Sequence, residues 1–62
     1  MPQLTQMELN TIKELAANED VSAKKFQLYA QNCQDSQLKS VFHQEAQQAS
    51  SNVQTLLRFL QS

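Results

Sequence analysis

Read at alternating steps of three and four residues, the chain carries an inner stripe through Ile12, Leu15, Glu19, Ser22, Phe26, Tyr29 and Cys33, flanked by Ala16, Ala23 and Ala30. That spacing puts the side chains on one face of an α-helix. Thr5 and Glu8 supply its start, a T-x-x-E capping box in which each side chain satisfies a backbone N–H at the helix terminus. The pattern breaks at "NCQDSQL", where Asp35 or Ser36 can accept from the free amides of a second helix. A second stripe then runs through Leu38, Val41 with Phe42, Glu45 with Ala46, Ala49, Asn52 with Val53, Leu56, and Phe59 with Leu60. The pattern predicts an all-α chain forming a single domain over 1–62: one helix over about 6–33, a turn at about 34–35 and a second helix over about 36–61. Each helix would be about 40 Å long at 1.5 Å per residue, and so short a link forces an antiparallel two-helix hairpin.

In such a hairpin, residues equidistant from the turn lie level. Phe26 should face Glu45, Ser22 should face Ala49 and Glu19 should face Asn52. Both stripes therefore turn polar or small at the same height, which defines an expected buried polar layer of Glu19, Ser22, Ala49 and Asn52. A lone hairpin leaves much of both stripes wet. Two copies around a two-fold axis would cover them as a four-helix bundle. The dimer core expected on this basis is Ile12, Leu15, Phe26, Tyr29, Leu38, Phe42, Val53, Leu56, Phe59 and Leu60.

Composition narrows the chemistry. At 62 residues the chain holds one small domain, a size at which a core commonly needs outside support. One cysteine allows no internal disulfide, and one histidine argues against a self-contained zinc cluster, so self-association is the remaining common route. There is no Gly, and the only Pro is Pro2, so no breaker interrupts the helices. A net charge of −1 with five scattered Lys/Arg gives no basic stripe for nucleic acid. No apolar run approaches the roughly 18 residues that span a bilayer, and no signal peptide is evident, so synthesis without export is expected.

The mid-helix layer invites comparison with four-helix di-iron and di-manganese proteins, where a Glu from one helix and an E-x-x-H from its neighbour hold the metals. Here Glu19 is present, but Ala49-x-x-Asn52 stands where E-x-x-H would be. The stretch "NEDVSAKKFQLYAQNCQDSQLKSVFHQEAQQASSNVQTLLRFL" resembles the coat F family of spore coat proteins. The match is carried by Glu19, Lys24, Lys25, Phe26, Tyr29, Ala30, Cys33, Gln34, Asp35, Leu38, Lys39, Phe42, Ala46, Leu56 and Leu57. More distantly the stretch is similar to the rubrerythrin branch of the ferritin-like superfamily. The resemblance covers roughly residues 14–60 and implies a ferritin-like hairpin from a spore-forming bacterium, acting in or near the spore coat. It also implies that two ligands of the metal-binding relatives are replaced, the Glu by Ala49 and the His by Asn52.

Several residues have a plain reading beside a chemical one. His43 lies beside the inner stripe with no second His or Cys at ligand spacing, and reads as a boundary residue. Cys33 has no base placed to activate it and reads as an inert thiol near the hairpin tip, with cross-linking between molecules as the alternative. Lys24 and Lys25 read as a solvated face, and Phe26, Tyr29, Phe42 and Phe59 as core. Ala46 and Ala49 fit either a vacated metal site or close helix approach. The function expected is that of a non-enzymatic structural or assembly protein of the spore coat type, acting as a homodimer and contacting other coat proteins, with no catalytic residues and no cofactor. The alternative is a ferritin-like, carboxylate-bridged metal protein with a degenerate site using Glu19 and Glu45 from both chains. An adaptor pairing with a different hairpin is a third reading.

Overall fold

A computed structural model describes residues 4–61, and they form two α-helices that fold back on each other as a hairpin, with no strand among them. Helix α1 spans Gln6–Asn32 and α2 spans Ser36–Gln61. Thr5 caps α1: its hydroxyl accepts from the Glu8 N–H at 3.1 Å while Glu8 Oε1 accepts from the Thr5 N–H at 2.9 Å. The Thr5 backbone N–H, and after it the hydroxyl, hold the Glu8 carboxyl below the ordinary glutamate range. Asp35 caps α2, its Oδ1 accepting from the Leu38 N–H at 2.9 Å, while its carbonyl takes the first helical bond from Lys39. The turn needs only Cys33, Gln34 and Asp35, with backbone that no glycine is required to adopt.

The seam between the helices is built from the smallest side chains. Among the described residues the buried apolar groups are Ala16, Ala23, Ala30, Ala46 and Ala49, and no large side chain is fully buried. Ala16, Ala23 and Ala30 recur every seven residues and so stay on one line of α1. Methyl groups at a contact line let helix axes approach at the low end of the usual range of about 8–10 Å. The larger side chains are displaced to the flank of that line, where Ile12, Phe26, Phe42, Val53, Leu56 and Leu60 are half-buried and Leu15, Tyr29, Leu38 and Phe59 keep two-fifths to one-half of their surface exposed. Five buried methyls contribute about 4 kcal/mol at about 0.8 kcal/mol each, a small return against the entropy of ordering two long helices. The hairpin measures 46 × 16 × 12 Å.

Candidate functional site

The two long flanks of the hairpin differ in character. On one, Gln27, His43, Gln47 and Ser50 border an open groove floored by Ala46, so His43 stands exposed on a polar surface. Lys24 Nζ lies 3.0 Å from Asp20 Oδ2 in an exposed i,i+4 pair, and Lys25 is also exposed. The other flank is mainly apolar toward both ends, with Glu8 and Thr11 beside the apolar residues at the open end, and carries a polar belt at its middle.

At that middle, Asn52 Nδ2 donates to Glu19 Oε2 at 3.1 Å, and Gln48 Nε2 donates to Asn52 Oδ1 at 3.0 Å. Glu19 and Asn52 are thus level across the seam and joined in a chain of amides ending on a carboxylate. Glu19, Ser22 and Asn52 are half-buried in the single chain, and Ala49 beneath them is buried. The belt borders a hollow of about 240 Å³ shared with Leu15, Thr55 and Leu56. Glu45 is exposed and, by the same register, level with Phe26, about 10 Å along the axis from Glu19 at 1.5 Å per residue. Among the described residues no three His, Cys, Asp or Glu side chains converge where a metal ion could sit. In the single chain, then, Glu19 meets an amide and not a second carboxylate.

Toward the turn, Phe42 packs between two rings of α1, with centroids 6.2 Å from Phe26 and 5.7 Å from Tyr29. Both pairs are tilted, with centroid separations in the range of favourable aromatic contacts. Tyr29 nonetheless keeps half of its surface exposed, and Leu38 and Val41 continue the apolar surface toward the tip. Cys33, half-buried at the end of α1, points its thiol at the Asp35 carbonyl 3.5 Å away.

Toward the open end lies a groove of about 360 Å³ whose walls include Leu4, Met7, Ile12, Leu56 and Phe59. Leu4 and Met7 were not among the residues expected in a functional surface. Their signal was present: stepping back from Leu15 in fours and threes gives Thr11, then Glu8 or Met7, then Leu4, which extends the stripe past Ile12 along its outer edge.

Comparison with family models, with curated proteins and with solved structures found no match to this chain. No helix among the described residues is long and apolar enough to cross a membrane.

Proposed function

We propose that the chain is a non-enzymatic assembly module, a helical hairpin that pairs its apolar flank with a second copy to complete a four-helix bundle. The observation that carries this reading is the division of labour among apolar residues. Alanines close the seam between the helices, while Leu15, Tyr29, Leu38, Val41 and Phe59 are left at least two-fifths exposed in a row on one flank; Val21 and Leu28, exposed as well, stand apart from that row on the outer side of α1. A solvated surface has no use for such a row.

The exposed area agrees in size. The chain presents 4935 Å² to solvent, whereas a folded chain of 7.1 kDa presents about 4,080 Å², an excess of roughly 850 Å². Stable interfaces bury about 800 Å² on each partner. The resemblance to coat F proteins supports siting this module in the spore coat, with other coat proteins as further partners, and the bundle would then be of the ferritin-like kind. No catalytic role is assigned, and Glu19, already accepting from Asn52, is read as a belt residue and not as a metal ligand.

Sedimentation over a range of concentrations tests the pairing: a reversible dimer is expected, and a monomer at every concentration would overturn it. Equilibration with Fe(II) or Mn(II) followed by dialysis tests the belt. Loss of the metal is expected, and stoichiometric retention would replace this reading with the carboxylate-bridged one.

A further inference from the structure

The apolar flank also carries the information that orients a second copy. It has an aromatic ridge near the turn, made by the half-buried Phe26 and Phe42 and the half-exposed Tyr29, and a groove of about 360 Å³ near the open end. Ridge and groove stand at similar distances on either side of the Glu19–Asn52 belt. Phe26 lies seven residues after Glu19 and Ile12 seven before it, about 10 Å each way at 1.5 Å per residue. On α2, Phe42 lies ten residues before Asn52 and Phe59 seven after it.

We infer that the second copy docks head to tail, so that the Phe26–Tyr29–Phe42 ridge of each copy fills the Met7–Ile12–Leu56–Phe59 groove of the other around a two-fold axis through the two Glu19–Asn52 belts. This rests on the self-pairing reading above. A two-fold perpendicular to the long axis exchanges points equidistant from the belt, so one operation fills both grooves and covers both ridges. It also sets each belt against the other, where the unused donors and acceptors of Gln48, Asn52 and Glu19 can meet polar groups.

The competing arrangement, with the two-fold along the helices, puts ridge on ridge and groove on groove. Facing grooves would enclose voids whose lining atoms lose their contacts, while the protruding Tyr29 rings would compete for one space. Head-to-tail docking also gives Met7 a role. It is 79% exposed in the single chain, and its flexible thioether is suited to closing over an aromatic ring.

The lone cysteine supplies the test. Cys33 is fourteen residues beyond Glu19, so head-to-tail docking sets two nitroxides attached there about 42 Å apart along the axis. Tip-to-tip docking would bring them within the width of the hairpin, which is 16 Å. Electron–electron distance measurement on the labelled dimer is expected to give the long distance. A short one, or a Cys33–Cys33 disulfide forming readily on mild oxidation of unlabelled protein, would overturn the orientation and leave self-pairing standing.

Tyr29→Ala and Met7→Ala give a second readout. Met7 is exposed and Tyr29 half-exposed in the single chain; Tyr29→Ala also removes a ring contact with Phe42 inside the hairpin, but the two positions stand about 33 Å apart along α1, so no coupling between them can arise within one chain. Each should weaken dimerisation by about tenfold, and together they should weaken it by clearly less than the product. Strictly multiplicative losses would overturn the contact. A monomer at all concentrations would instead remove the self-pairing reading itself, and the orientation with it.

Discussion

Thr5 and Glu8 show how much a single pair can fix at the start of a helix 27 residues long. Their reciprocal hydrogen bonds satisfy two N–H groups that the helix cannot, so Thr5→Ala should cost about 1 kcal/mol in urea unfolding. The same bonds favour the charged carboxylate, and the sign of the pH effect follows. Because the folded chain holds the Glu8 pKa below its unfolded value, the contribution is complete above the unfolded value and disappears as pH falls through the folded one. Glu8→Gln should therefore remove part of the acid sensitivity of stability below the ordinary glutamate range; an unchanged acid limb would show that the box is open in solution. Asn52 and Glu19 make the complementary case. Asn52→Leu alone leaves a half-buried carboxylate without its amide and should destabilise by about 1–3 kcal/mol. Adding Glu19→Leu should recover that loss or exceed it, as apolar replacement of paired polar groups often does. A double variant less stable than the single one would mean that Glu19 has partners beyond Asn52.

Between the two helices, packing is governed by what is small. Ala23→Leu should force the axes apart and cost about 1–3 kcal/mol, although it raises the hydrophobicity of the helix. Thermal unfolding of that variant would settle the matter: a raised midpoint would mean the seam is loose enough to accept a larger residue. This seam marks the boundary of what the amino-acid pattern discloses. The helix starts, the place of the turn (expected at about 34–35, found at 33–35) and the level pairing of Glu19 with Asn52 were legible because caps and period are local properties of the chain. The line that faces the neighbouring helix was not, since ranking positions by hydrophobicity puts Leu15, Phe26 and Phe42 ahead of Ala16, Ala23 and Ala30 on adjacent lines of the same face. What decides between them is the separation of the axes, a tertiary quantity, and the alanine line permits a closer approach than the aromatic one. Ala46 and Ala49 are both buried at the seam. The open-end groove was missed for a related reason: Leu4 and Met7 are close to the start of α1, where the periodic signal is too short to count.

At the scale of the whole molecule, a rod 46 Å long and 12 Å thin in which only alanines are buried among the described residues is expected to draw its stability from association. Any partner that binds the folded form alone stabilises it by mass action, so the thermal midpoint should rise with protein concentration. Leu15→Glu isolates that contribution. Leu15 is 47% exposed in the single chain, and Glu forms helix about as well as Leu, so the hairpin itself should lose no more than about 0.5 kcal/mol. A further like charge one turn from Glu19 adds a few tenths of a kcal/mol of repulsion within the helix. In a paired molecule the same carboxylate would be carried into the belt from both copies and left without a partner there, at the much larger cost of an uncompensated buried charge. The variant should therefore melt at the low-concentration limit of the parent chain whatever its own concentration. If it instead keeps the parent's concentration dependence, the flank bearing Leu15 is not the surface through which the chain associates, and the associating surface must be sought on the polar side around His43 and Gln47.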